Sequence, residues 1–234
     1  MPHTMKYLLM IVSLSLTAAC AAPPLKNIDV TPPALSHIRS VAVIRPPEMK
    51  IYAVINLGHP GRYLGLFGQL AAGSNKIDME AKLAQALEPQ KLSIHSALAD
   101  NLAANLSRLG FEARTEDGQW KLEGKIYVLG NHPDADAVVV ISTRVVGFVA
   151  EGANTDYVPT ILAMATLSDR SQTVIYRRYH AAGYHPNEEG WRHTSANVTF
   201  PNFESLMASP VKTGDSLNAA ASAIASTIAA DLRR

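Results

Sequence analysis

The clearest hydrophobic pattern in this chain is a helical one over residues 93–109. Leucine or isoleucine recurs there at spacings of four, four, four and three residues, which places these side chains on one face of an α-helix. The members of this face are Ile94, Leu98, Leu102, Leu106 and Leu109. Gly110 follows directly and suits the left-handed conformation that ends many helices. We predict a helix over 93–109 whose apolar face packs on a core.

Two further segments share this helical period. Residues 78–87 place Leu83 and Leu87 on one face and stop before a proline, which cannot continue a helix. The last predicted helix covers 215–232, with Asp215 as its N-cap. The apolar stripe of this last helix consists of Leu217, Ala221, Ile224, Ile228 and Leu232.

Between these helices the apolar residues follow strand patterns. Residues 136–142 form a continuous apolar run, which is typical of a strand in the middle of a sheet, and this strand is predicted to extend toward Val149. Two β-branched segments flank the polar residues 168–172, which predicts a hairpin. A second hairpin is predicted at Asp117-Gly118, whose composition suits a type I′ turn. The remaining strand segments are 40–44, 111–114, 119–129, 157–167 and 173–180.

The order of these segments predicts an α+β fold: a mixed β-sheet with helices packed mainly on one face, forming a single domain over 38–234. The Gly-rich apolar segment 52–73 fits neither period, because glycine permits close backbone contact and weakens a helix. We interpret this segment as a packed loop or a poor core helix. The alternative is a surface that docks a partner or touches lipid.

Four parts of the domain resemble a recurrent periplasmic fold. They are residues 41–47, the helix-to-strand junction 98–111, the strand 136–141 and the hairpin around 167–169. The arrangement is similar to the amino-terminal domain of the propeller protein of the Tol system and to the curli-secretion lipoprotein. Those relatives act as interaction modules or assembly components, so the resemblance implies a role of that kind, while fold alone does not fix function.

The amino terminus carries a different pattern. Lys6 precedes an apolar run over 7–16 that is too short to cross a membrane, and residues 16–20, with the sequence Leu-Thr-Ala-Ala-Cys, close that run. This ending resembles the lipobox of bacterial lipoproteins, with Thr17 at a position where leucine is usual. Cys20 is the only cysteine of the chain.

The lipobox resemblance implies that residues 1–19 are a signal peptide removed by signal peptidase II. It also implies that Cys20 carries a diacylglycerol and an acyl chain such as palmitate. Ala21 stands where aspartate would direct sorting to the inner membrane, which implies attachment at the periplasmic face of the outer membrane. Residues 20–37 are predicted to form a short, stiff, Pro-rich tether. No cofactor besides this lipid is expected.

Charge narrows the possible partners. The chain has 21 Lys and Arg residues and 20 Asp and Glu residues, and the two numbers become equal when residues 1–19, which contain Lys6, are removed. A neutral chain lacks the basic surface that nucleic-acid binding requires. The expected partners are therefore the membrane, through the lipid, and a protein of the cell envelope.

A polar segment over residues 180–193 concentrates the candidate binding residues. Its histidines lie near Glu188 and Glu189, and imidazole and carboxylate groups are ligands of zinc and copper. These histidines are His180, His185 and His193. The alternative is a recognition surface in which Tyr184, Trp191 and Arg192 contact a protein partner, because aromatic residues and arginine are enriched at such surfaces.

No catalytic motif accompanies these residues. The sequence has no nucleophile elbow, paired-histidine zinc helix, phosphate loop or dinucleotide fingerprint. Ser209-x-x-Lys212 has the form of a penicillin-binding motif, but Lys212 would have to serve two motifs at once. We therefore expect no enzyme activity. The expected function is that of a lipid-anchored periplasmic adaptor or assembly component of a cell-envelope complex; the alternative is a metal- or small-ligand-binding lipoprotein that uses residues 180–193.

Overall fold

The computed structural model describes residues 25–58, 65–123, 126–129, 134–186 and 189–233. The predicted signal peptide, Cys20, residues 59–64 of the Gly-rich segment and Glu188 lie outside these ranges. Within them the chain forms a seven-stranded sheet, a separate two-stranded hairpin and five helices. The strands are β1 (Ser40–Arg45), β2 (Ala53–Asn56), β3 (Glu112–Asp117), β4 (Trp120–Glu123), β5 (Ile126–Leu129), β6 (Ala137–Ala150), β7 (Val158–Asp169), β8 (Val174–Ala182) and β9 (Arg192–Thr194). The helices are α1 (Pro32–Ser36), α2 (Gly65–Leu87), α3 (Ile94–Arg108), α4 (Phe203–Ala208) and α5 (Pro210–Asp231).

Strand β6 pairs with two different strands on one of its sides, β1 along its first half and β2 along its second half. Val41 of β1 pairs with Ala137 at the start of β6, and Ala53 of β2 pairs with Gly147 near its end, both in parallel. On the other side β6 pairs with β7, and β7 with β8, both antiparallel. With β3 parallel to β1 and β9 parallel to β8, the strand order is β3-β1-β6-β7-β8-β9. The predicted mixed sheet is confirmed.

Helices α3 and α5 cover one face of this sheet and form the main core. Leu98 and Leu102 of α3 and Ile224 of α5 are fully buried, in agreement with the helical spacing. They pack with side chains at alternate positions of the strands, such as Val139 and Ile161. Burial of one such side chain stabilises a fold by about 1.5–3 kcal/mol, so the two helices decide which face of the sheet is internal.

The opposite face of the sheet is covered at one end by the β4–β5 hairpin. Trp120 and Leu129 pack there against Ile44 and Val138. The Trp120 indole N–H also donates a hydrogen bond to the Arg45 carbonyl at 3.0 Å. The hairpin therefore closes a second, smaller apolar cluster on the side away from the helices.

The predicted hairpin at Asp117-Gly118 is wrong. β3 pairs in parallel with β1, whereas β4 pairs with β5. A type I′ turn needs positive φ at both central residues, and neither Asp117 nor Gly118 has a positive φ. Gly118 instead lies against the Trp120 ring and Ile44, where the chain leaves the sheet for the hairpin that covers it.

Gly110 ends α3 as the sequence predicted. Its φ is 88°, a conformation that glycine adopts without steric cost. The Gly110 N–H donates to the Ser107 carbonyl at 3.0 Å, and the Phe111 N–H donates to the Leu106 carbonyl at 3.2 Å. These two bonds form a Schellman motif, so the chain turns directly from α3 into β3.

Two helix starts differ from the predictions. α2 begins at Gly65 rather than at residue 78, so its first turns lie in the Gly-rich segment, which also contains β2. α5 begins at Pro210 with Ser209 as its N-cap, and Asp215 lies inside the helix. Proline suits a first helical position because that N–H has no partner within the helix.

Across the described ranges, none of the helices combines the length and the apolar character of a membrane span.

The amino-terminal part of the domain begins before residue 38, so the predicted tether over 20–37 is too long. Leu35 of α1 is only 1% exposed, and Val30 packs against the main core. Ile28 forms an antiparallel bridge with Arg177 of β8. A local sequence pattern does not reveal these contacts with the sheet, and they make residues 28–37 part of the folded domain.

The amino terminus of α3 is capped by a residue from a distant loop. The Ser93 side chain makes no capping bond. Glu48 replaces it: its carboxylate accepts the His95 N–H at 3.2 Å and the Ser96 N–H at 2.7 Å. Carboxylates stabilise this end of a helix because its first N–H groups have no partner within the helix.

We expect Glu48→Ala to lower the free energy of unfolding by about 1 kcal/mol, the usual effect of losing an N-cap. Urea denaturation would measure the change, with Glu88→Ala as the control, since Glu88 is exposed. An equal effect of the two substitutions would show that Glu48 does not cap α3.

Candidate functional site

Of the residues that the sequence singled out within 180–193, His180 lies on β8, Arg192 and His193 lie on β9, and the others lie between these strands. The two faces of β8 have different surroundings. His180 is fully buried on the side of α5. Its Nε2 lies 2.8 Å from the Tyr176 hydroxyl, and its Nδ1 lies 3.1 Å from Oγ1 of Thr227 in α5. Both ring nitrogens of His180 therefore have a partner within the protein.

Asp231, the last residue of α5, joins these groups to two arginines. Its carboxylate accepts a hydrogen bond from the Tyr176 hydroxyl at 3.1 Å and lies 3.2 Å from Nε of Arg192. Nε of Arg178 is 3.8 Å away, and Arg178 also forms an ion pair with Asp29. We call this set the β8–α5 polar cluster; its members are Asp29, Tyr176, Arg178, His180, Arg192, Thr227 and Asp231.

Burial controls the protonation of the two aromatic members of the polar cluster. Burial lowers the pKa of His180 to about 4; the nearby Asp231 opposes this shift, and Arg178 and Arg192 add to it. Burial also raises the pKa of Tyr176, and the Asp231 carboxylate adds to that effect. At neutral pH the imidazole of His180 and the phenol of Tyr176 are therefore both neutral, and the phenol lies beside the Asp231 carboxylate.

The other face of β8 carries an aromatic stack. The Tyr179 and Trp191 rings lie 4.9 Å apart between centroids at 27°, an offset-stacked arrangement that aromatic pairs favour. The Arg144 guanidinium lies 5.0 Å from the centroid of the Tyr179 ring, within the range of a cation–π contact. The His185 and His193 rings meet edge to face at 4.7 Å.

The three predicted metal ligands do not converge. In the parallel register of β8 and β9, His180 pairs with Arg192 and Ala181 pairs with His193. Successive side chains of a strand point to opposite faces, so His193 lies across the sheet from His180 while His185 stays with His193. In the described part of the chain, no three His, Cys, Asp or Glu side chains are placed to hold a metal ion. The predicted three-histidine site is therefore not assembled.

The predicted recognition residues are also divided between the two sides. Trp191 stacks on Tyr179, whereas Arg192 turns toward Asp231 on the side of α5. Tyr184 is half-buried, and its backbone N–H donates to the Thr160 hydroxyl at 3.2 Å. The three residues lie around one edge of the sheet rather than on one flat patch.

Sequence reasoning missed Tyr176, Tyr179 and Asp231. Tyr176 and His180 are four residues apart in a strand, a spacing that places them on the same face, so this pair was detectable once the strand was recognised. Asp231 gave no such signal, because its contacts depend on how α5 lies across β8.

A cleft of about 510 Å³ opens between β2, α2 and the segment that precedes α4. Asn56, Lys82, Tyr157 and Glu204 are among its lining residues. Burial raises the pKa of Tyr157, the nearby Glu204 carboxylate adds to this, and the hydrogen bond with Asn56 opposes both. The volume is in the range of small-molecule sites, about 300–1,000 Å³. The sequence did not predict this cleft, because its walls come from segments far apart in the chain.

Comparisons with known proteins leave the family open. No protein-family model matches the chain, and no curated protein gives a significant match. Among solved structures, a PelC dodecamer from Paraburkholderia phytofirmans matches at 11% sequence identity, over 89% of this chain and 95% of that chain, with a TM-score of 0.32. A TM-score of this size is too low to assign a shared fold, so the α+β fold rests on the strand pairing and core packing described above.

Proposed function

We propose that this protein is a lipid-anchored component of the bacterial cell envelope, held at the periplasmic face of the outer membrane, where it acts as an adaptor or assembly component. The observation that carries the proposal is the apolar leader that closes at Cys20, the only cysteine of the chain. A folded domain begins soon after it, since Ile28 is already paired with β8. Lipid on Cys20 would therefore hold a domain directly at a membrane surface.

The energy of such an anchor comes from the acyl chains. Each buried methylene contributes about 0.8 kcal/mol, and stable attachment takes more than one chain. A diacylglycerol with a further acyl group meets that condition, so the neutral domain needs no basic patch of its own.

The polar cluster supports a role without catalysis. Tyr176 and His180 are 1% and 0% exposed, so their polar atoms do not reach solvent in this conformation. Their partners Thr227 and Asp231 lie on α5. These contacts fasten α5 to β8, and the cluster is therefore assigned to the stability of the domain.

The test is affinity capture from cross-linked envelopes, with the full-length lipidated protein as bait. We expect a stoichiometric envelope protein with the wild type and its loss with Cys20→Ala.

The cleft near Tyr157 supports a second candidate function, the binding of a small polar ligand. The sequence placed that alternative at residues 180–193, whereas the cleft lies at β2 and α2. If the protein is attached to the membrane but the capture experiment yields no partner, this result would contradict the adaptor role and favour ligand binding in this cleft.

A further inference from the structure

The amino-terminal segment leaves the domain at one defined place, the edge of the sheet formed by β8 and β9. The Ile28 N–H donates to the Arg177 carbonyl at 2.7 Å, and the Arg177 N–H donates to the Ile28 carbonyl at 2.9 Å. The Asn27 side-chain amide donates to the Gly190 carbonyl at 2.9 Å. Asp29 completes the attachment through its ion pair with Arg178. The chain is thus held at this edge from Asn27 onward.

The distance from this attachment to Cys20 is short. Cys20 lies seven residues before Asn27, and a fully extended chain spans at most about 3.6 Å per residue, or about 25 Å in total. The β8 and β3 edges are separated by four strand spacings of about 4.8 Å, or about 19 Å. To bring the β3 edge to a membrane, the segment would have to run nearly extended along the whole width of the sheet. An extended segment has few conformations, so that orientation is disfavoured.

The exposed charges of the two edges differ only slightly. Next to the attachment, Lys26 and Arg192 are balanced by Asp29 and Glu189, which are also exposed. On the β3 edge, the exposed carboxylates of Glu112 and Asp117 outnumber the exposed Arg114 by one. A basic side chain near an anionic lipid surface contributes about 1 kcal/mol, so charge favours the β8–β9 edge weakly and the orientation rests mainly on the short length of the segment.

We infer that, in the lipidated protein, the β8–β9 edge of the sheet faces the phospholipid headgroups and the β3 edge faces away from the membrane. This inference rests on the proposed lipid anchor. It implies that a protein partner reaches the β3 edge, β1 and α3 without displacing lipid, whereas Arg192 lies on the membrane side.

The test uses two single-cysteine variants of the lipidated protein, Glu189→Cys and Glu112→Cys, which replace exposed glutamates at the two edges. The Cys20 thiol is consumed in the lipid thioether, so a thiol-reactive fluorophore attaches only at the new position. The labelled proteins are bound to vesicles of phosphatidylethanolamine and phosphatidylglycerol that contain a nitroxide-headgroup lipid. We expect about threefold stronger quenching at position 189 than at position 112, because the two labels differ in depth by about 19 Å.

A third variant tests the attached segment itself. Ile28→Pro removes the N–H that bonds to Arg177, frees the chain as far as α1 and is expected to abolish the difference in quenching. The orientation alone would be overturned if protein with Ile28 intact floats with the vesicles but shows equal quenching at positions 189 and 112, or stronger quenching at position 112. An unchanged difference in Ile28→Pro would also overturn it. Protein that does not float would overturn the lipid anchor and the orientation together.

Discussion

Replacing Asp231 with alanine is expected to lower the free energy of unfolding by about 3 kcal/mol, at the lower end of the effect of breaking a buried ion pair. The Asp231 and Arg178 side chains are each only 13% exposed. Without the carboxylate, the Tyr176 hydroxyl loses an acceptor and the Arg178 and Arg192 guanidinium groups lose a counter-ion. The end of α5 would then be held against β8 chiefly by its apolar residues.

Urea denaturation followed by circular dichroism measures this change. Asp231→Asn keeps an acceptor oxygen without the charge and should have a smaller effect. Asp215→Ala is the control on the same helix, since Asp215 is exposed, and it should change stability by less than about 0.5 kcal/mol. An effect of Asp231→Ala no larger than that of the control would show that the polar cluster does not fasten α5.

Acidification is expected to destabilise the domain through His180. The pKa of His180 is about 4 in the folded protein because of its burial, compared with about 6.5 in an unfolded chain. Below pH 6.5 the unfolded state takes up a proton that the folded state does not bind. Stability is therefore complete above pH 6.5 and falls as the pH drops toward 4, by up to about 1.4 kcal/mol per pH unit and about 3 kcal/mol overall.

Urea midpoints for the wild type and for His180→Gln, measured between pH 7.5 and 4.5, isolate this effect. Glutamine can form hydrogen bonds at this position but does not titrate in this range, so its stability should depend less on pH. His37→Gln is the control because His37 is exposed, and it should retain the pH dependence of the wild type. Parallel pH profiles for the wild type and His180→Gln would rule out His180 as the source.

The polar cluster also connects stability to the amino-terminal attachment. Arg178 faces both Asp231 at the end of α5 and Asp29 in the attached segment. A change that loosens α5 would therefore also affect the point where the amino-terminal segment joins the domain. For this reason, the orientation experiment uses substitutions at exposed residues and at Ile28 rather than within the cluster.

Elements whose pattern is local were predicted well. The leucine period of α3, the glycine after it, the apolar run of β6 and the hairpin of β7 and β8 all depend on neighbours within a few residues, and the structure confirms each. The start of α2 was hidden because glycines obscured the helical period of the Gly-rich segment. Asp215 resembled an N-cap, but the helix already begins at Pro210.

The sequence by itself determined the apolar run that ends at Cys20, the periods of the main helices and strands, and the α+β class. Each of these depends on residues that are close together in the chain. Only the tertiary structure decided that β1 and β2 share one side of β6, that β3 lies parallel to β1, and that residues 28–37 pack on the domain. It also decided that His180 and His193 lie on opposite faces and that Asp231 meets Tyr176 from 55 residues away. Such contacts depend on strand register and helix placement, which are set by the packing of the whole core rather than by any local pattern.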